Sequence, residues 1–308
     1  MGGEDVLKSE YEKLLRREDG AGEEDVNERL NKLKELVLFK GLPDCASLSG
    51  SCGRGSLRGT VWKALLGIGE VNVDHYKELV SRGPSVDYQK IAIDVARTFS
   101  KHEEYTSRVP REMLVRLLNA LVHERGNEPE TYLQSMSVLA APFLFLMTEP
   151  EAFLSFDVFL TERIPNYVFK YIGVHRGCNI MNKLLRQLDP ELYTRFCEFK
   201  LVPQTYAFPN ISSLGMCVLP LSDSLRLLDV QLAYGSHLGV LFSLGRLVLA
   251  RGKIIRVKGK IPIITRDMQT GFGFNSRQVL SCTMQSIIPQ IDEELYVEVE
   301  NHTGELGD

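Results

Sequence analysis

Asp94 and Arg97 stand three positions apart in YQKIAIDVARTF, residues 88–99, among small and apolar neighbours. Ile91, Ala92, Val95, Ala96 and Phe99 recur at helical spacing, so the segment reads as a helix with one buried stripe, and the acid and the arginine share its flank. Such a pair can close an ion pair, worth only roughly 0.2–0.5 kcal/mol at a surface. Gln134 is the second unusual polar residue. It lies near the start of the apolar run ETYLQSMSVLAAPFLFLM, residues 130–147, where a carboxamide can cap a helix or satisfy buried backbone groups. His175 and Cys178 have a metal-compatible spacing, but no second pair lies within zinc-site distance, so no metal centre is expected. His75, His102, His123 and His237 show no neighbouring nucleophile and acid that would build a triad. The stretch RGKIIRVKGKIPIITR, residues 251–266, holds six basic residues and no acid, which suits either docking of an acidic or phosphorylated partner or a solvated connection between helices.

The elements that must position these residues are helices. Val26, Leu30, Leu33 and Val37 make one apolar stripe; Leu57, Val61, Ala64 and Leu65 another; Met113, Leu114, Leu117, Leu118 and Leu121 a third. Met181, Leu184, Leu185 and Leu188, then Leu221, Leu225, Leu228 and Leu232, continue the period. The run after Pro129 is apolar on nearly all faces, which predicts a core helix beginning at that proline. Strand-like alternation is scarce and no unit repeats at fixed spacing, so the predicted fold class is all-α, a single irregular multi-helix domain. Residues 1–25 are rich in charge and poor in apolar positions and read as a mobile acidic lead-in. The domain then covers 26–308, in a first lobe of about 26–165 and a second of about 166–308. Residues 46–56, ASLSGSCGRGS, form a Ser/Gly-rich connection whose glycines lack the Lys-Ser or Lys-Thr of a phosphate-binding loop.

A net charge of −4 gives no global basic field, so neither nucleic acid nor a membrane surface is an expected partner. The apolar run from Val138 to Met147 is too short to span a bilayer and contains Pro142, so no membrane insertion is expected. The first twenty residues contain no apolar segment of the secretory type, and the six cysteines are scattered without a CxxC pair, which together predict a cytoplasmic location with free thiols. In that setting the Asn210 and Asn301 sequons are chance matches. Val6 removes a myristoylation reading of Gly2.

Arg58-x-x-x-Trp62, Ile91-x-x-Asp94-x-x-Arg97 and Tyr132-x-Gln134 occur in that order, and together they resemble the leading signatures of the TBC domain, the GTPase-activating module for Rab-type small GTPases. YQKIAIDVARTF, TYLQSMSVLAAP, TYAFPNI (205–211) and AYGSHLGVLF (233–242) look most like the fungal spindle-checkpoint branch of that family. The resemblance implies that Arg97 is an arginine finger and Gln134 a glutamine finger, both acting in trans on GTP and Mg²⁺ held by a Rab-like small GTPase. It implies that Asp94 orients the guanidinium and that Arg58, Trp62, Ile91 and Tyr132 are supports. The protein would hold no cofactor of its own. The branch further implies a second, scaffold-like subunit, restraint of mitotic exit or septation, and a spindle pole body or centrosome-like location. Two departures bear on this. Ser135 follows the glutamine where the family usually has glycine, and the later tryptophan signatures are absent, with Leu228 before Asp229 and Tyr206 and Phe208 in the earlier one. The alternative is therefore a catalytically silent scaffold that binds a small GTPase with the same surface.

Overall fold

Helices form where apolar positions recur at three and four residues, and among the described residues no strand forms. The computed structural model describes residues 3–16, 23–43, 56–218, 220–256 and 271–305. The chain divides into two compact units, Met1–Phe159 and Leu160–Asp308, a boundary several residues before the one the sequence pattern suggests.

The first unit contains α1 (Gly3–Leu15), α2 (Glu23–Phe39), α3 (Leu57–Leu65), α4 (Val73–Ser81), α5 (Tyr88–Arg97), α6 (Glu103–Arg108), α7 (Arg111–Glu124), α8 (Ser135–Leu146) and α9 (Glu149–Val158). Its core is built on α8. Phe143 is fully buried and meets Trp62 edge-on at 5.1 Å, Phe156 at 5.5 Å and Phe159 at 5.6 Å between ring centroids. α3 approaches α8 so closely that a Cβ on Gly59 would lie 2.6 Å from the Leu146 carbonyl. Ser56 closes the same contact, accepting the Gly59 N–H as N-cap and donating to Leu146 O at 2.6 Å. α7 packs against α4, α5, α8 and α9 and so fixes the helices on which the site is built.

Two expectations for this unit are corrected. The lead-in read as mobile over residues 1–25 forms α1 over Gly3–Leu15. Its apolar positions are too few to make a core, yet they suffice to join one: Tyr11 is fully buried and its hydroxyl donates to Gly41 O at 3.0 Å. α2 accordingly begins at Glu23, and its buried stripe is carried by Leu33 and Val37, while Val26 is exposed. Gly41, at φ +76°, turns the chain away after α2, a conformation that costs glycine least. The second correction concerns residues 129–134, expected in the helix with the apolar run. They are not helical, and α8 starts only at Ser135. Glu130 adopts φ +65°, which no right-handed helix accommodates, and the segment is instead drawn towards two acids, described below.

The second unit contains α10 (Pro165–Val168), α11 (Ile172–Leu188), α12 (Pro190–Glu198), α13 (Pro203–Tyr206), α14 (Phe208–Ser212), α15 (Leu221–Tyr234), α16 (Leu238–Arg256), α17 (Ser276–Cys282) and α18 (Glu293–Asn301). α11 and α16 form its centre, with Val174, Leu184, Leu185, Val240 and Leu241 fully buried. Of the residues that stand where the tryptophan signatures would, Tyr206 and Leu228 are buried and Phe208 is half-buried, so they serve packing. The segment after α18 is pinned inward. Tyr167 OH donates to His302 Nε2 at 2.9 Å, and Glu305 accepts from Arg163 Nη1 and from the Ser236 N–H, each at 2.9 Å. Cys45, residues 46–55 of the Ser/Gly-rich connection with Cys52, and residues 257–266 of the basic stretch lie outside the described residues.

Candidate functional site

α5 ends on Arg97, and the acid three residues earlier holds it. Arg97 Nε and Nη2 both donate to Asp94 Oδ1, at 3.1 and 2.5 Å. The arginine side chain is 58% exposed, whereas Asp94 is buried, its side chain only 10% exposed. A carboxylate so placed must be satisfied by protein groups. Its second oxygen is: the Tyr132 hydroxyl donates to Asp94 Oδ2 at 3.0 Å. Because Oδ2 is occupied, the carboxylate plane is set by the core and Oδ1 presents a fixed acceptor to the guanidinium.

Tyr132 is itself anchored twice. Its backbone N–H donates to Asp87 Oδ2 at 3.1 Å, and Asp87 is 2% exposed. These two acids hold residues 131–133 out of the helix and explain why it does not begin at Pro129. A second bridge runs beside the first. The Thr98 hydroxyl donates to Ser137 Oγ at 3.0 Å, and Ser137 donates on to the carbonyl of Gln134 at 3.1 Å. The end of α5 and the start of α8 are thus registered by two independent polar links, one through Tyr132 and one ending on Gln134 itself.

Gln134 takes the N-cap position of α8 with φ −53° and ψ −37°, and its side chain makes no capping hydrogen bond. The residue is exposed. A structural role as a cap or as a partner for buried backbone is therefore not the one it fills, and its amide faces the surface beside a rigid helix start. Ser135, half-buried, is the first helical residue. Arg58, Trp62 and Ile91 are 3%, 0% and 0% exposed, which makes them core supports that no foreign nucleotide can touch. Ala96, expected in the buried stripe of α5, is exposed.

Asp87, Thr98 and Ser137 were not picked out by the sequence pattern, though one signal was available: Asp87 and Asp94 are seven residues apart and so share one helix flank. Lys90 donates to Asp87 Oδ1 at 2.8 Å, and that hydrogen bond holds its ammonium above its ordinary range. No group of His, Cys, Asp or Glu among the described residues could hold a metal ion. His175 is exposed and packs at a tilt against Phe208, while Cys178 is buried, so the two do not share a ligand face.

The sequence profile of the Rab-GTPase-TBC domain matches residues 55–255. The chain belongs to this family. The matched span of the TBC domain runs from α3 to α16 and contains both α5 and the start of α8. Cell division control protein 16 of Schizosaccharomyces pombe is 34% identical over 275 residues, which cover 89% of this chain and 88% of the relative. A protein of Dictyostelium discoideum with the provisional name mitotic check point protein BUB2 is 36% identical over 239 residues. That match covers 75% of this chain and 64% of the relative's length. The solved Ypt/Rab-GAP domain of Gyp1p shares the fold with a TM-score of 0.72 at 16% identity, covering 96% of this chain and all of that domain.

Proposed function

We propose that this TBC domain accelerates GTP hydrolysis by a Rab-like small GTPase, supplying Arg97 and Gln134 to the nucleotide and Mg²⁺ that the GTPase holds. Phosphoryl transfer spreads charge over the oxygens around phosphorus, and a guanidinium meets two of them at once without losing its own charge on desolvation. Asp94 orients it, so that little side-chain freedom remains to be lost on docking. Gln134 positions the attacking water, the task a GTPase otherwise gives to its own glutamine. A finger supplied in trans is worth roughly 10³–10⁵ in rate, about 4–7 kcal/mol, far beyond any surface ion pair.

The observation that carries the reading is the combination at Arg97: a guanidinium open to solvent whose hydrogen bonds among the described residues run to a carboxylate locked by the core. A structural arginine would be expected to reach several acceptors. With the relatives named for the mitotic check point and for cell division control, the same reading extends to restraint of mitotic exit or septation, together with a second, scaffold-like subunit, in the cytoplasm at a spindle pole body or centrosome-like structure. The test is single-turnover hydrolysis by Rab-type GTPases of the same organism, each with and without this protein and a candidate second subunit. Acceleration of one GTPase supports the reading, and none across the set removes it.

Ser135 favours a second reading. Its hydroxymethyl stands next to Gln134 at the helix start, where added bulk can hinder a docked switch region, and the domain would then bind a GTPase without activating it. Binding with an unchanged hydrolysis rate identifies that case.

A further inference from the structure

α5 carries a second acid and cation pair built like the first. Asp87 is 2% exposed and holds Lys90, as Asp94 holds Arg97, and Tyr132 joins the two acids, its N–H on one and its hydroxyl on the other. Equivalent members are seven residues apart, so Lys90 and Arg97 share a flank about 10 Å apart along the axis. Positions 90, 93 and 97 advance by three and four residues along α5, which places Ile93 in the same row. Ile93 is unusually open for an apolar residue, at 67% exposure, and the Lys90 and Arg97 side chains are 59% and 58% exposed.

Packing does not require an open isoleucine on a helix whose other face is already buried. Anything that carries a phosphate to Arg97 must also cover Ile93, which lies one turn, about 6 Å, before it. We propose that the row Lys90, Ile93 and Arg97 is the face on which the GTPase docks, with Ile93 as its apolar anchor and Lys90 as the pair for an acidic side chain of the GTPase. This rests on the activator reading for the choice of occupant. Lys90 lies too far along the axis to share the phosphate that Arg97 meets, so it reads the surface of the GTPase and not its nucleotide. Ile93 contributes by apolar burial, and Lys90 by steering and discrimination among GTPases.

The probe is a panel of purified Rab-type GTPases from the same organism, each loaded with GDP and aluminium fluoride, titrated with wild type, Ile93→Asp, Lys90→Ala and Lys90→Glu. Ile93 is exposed, so the thermal midpoint of Ile93→Asp should match wild type. The Lys90 variants take a partner from the buried Asp87 and should melt lower, so all binding is measured well below each variant's own midpoint, which is determined first. For the GTPase bound by wild type, Ile93→Asp should weaken binding at least about thirtyfold, as loss of an anchor does. Lys90→Glu should weaken it by about tenfold, a loss that shrinks at high salt. In single-turnover hydrolysis, Ile93→Asp should raise the half-saturating concentration and leave the saturating rate within about twofold. Binding of Ile93→Asp and Lys90→Glu within about twofold of wild type overturns the docking face. Should wild type bind without accelerating hydrolysis while Ile93→Asp loses binding, the activator reading fails and the docking face stands. Binding to no member of the panel overturns both.

Discussion

Tyr132 and Asp94 are joined by a hydrogen bond of 3.0 Å between the phenol and Oδ2, and this bond decides what Arg97 can do. With one carboxylate oxygen bound from the core side, only the other is left to face the arginine, which sits on it through two nitrogens. A tyrosine from the segment before α8 thereby sets the direction of a guanidinium at the end of α5.

Tyr132→Phe removes that bond and leaves a buried carboxylate oxygen short of a partner. It should cost about 1–3 kcal/mol in urea denaturation, and it should lower the single-turnover rate while binding of the GTPase is retained, because the guanidinium becomes less well oriented. An unchanged rate at full GTPase saturation would show that Asp94 does not need Tyr132 to present Arg97.

Gln134→Ala separates structure from function at a neighbouring site. Its side chain makes no cap and is exposed, so stability should stay within about 0.5 kcal/mol of wild type. The hydrolysis rate should fall by about 10²-fold or more, as for removal of one group that acts on the transition state. A clear drop in thermal midpoint would instead assign the glutamine to the fold.

The second unit should lose stability in mild acid. Burial pushes His237 and His302 down from 6.5 to about 4, and His302 Nδ1 faces the Val299 carbonyl, which can only accept, so the neutral ring keeps its proton there and takes the Tyr167 hydroxyl on Nε2. Between those two values the unfolded chain takes up protons that the folded one does not. The stabilisation is complete above pH 6.5 and is lost as pH falls towards 4, at up to about 1.4 kcal/mol per unit for each ring. Urea midpoints at pH 7.5, 6 and 5 should fall in that order, and His302→Gln should flatten the profile. Equal slopes for variant and wild type would contradict the assignment.

The all-α class was legible because the 3.6-residue apolar period runs through most of the chain, and Ile91 and Val95 are buried where that period puts them. The Asp94 and Arg97 pairing was legible for the same reason, since spacing alone makes them neighbours on a helix. Residues 129–134 were not, because their conformation is set by Asp87 and Asp94, more than thirty positions away, and not by local propensity. α1 was missed for a related reason: its few apolar residues gain their burial from α2 and α3, and Tyr11 from the Gly41 carbonyl, none of which composition reveals. Thr98 and Ser137 look like ordinary small polar residues until the two helices meet.

The most direct test replaces Arg97 itself. Single-turnover GTP hydrolysis by the cognate GTPase is measured at saturating wild type, Arg97→Lys and Arg97→Ala. The account predicts folded variants that still bind the GTPase, with rates lower by roughly 10³-fold or more in both, because lysine cannot reproduce the two-oxygen contact. Equal rates for all three proteins would contradict it.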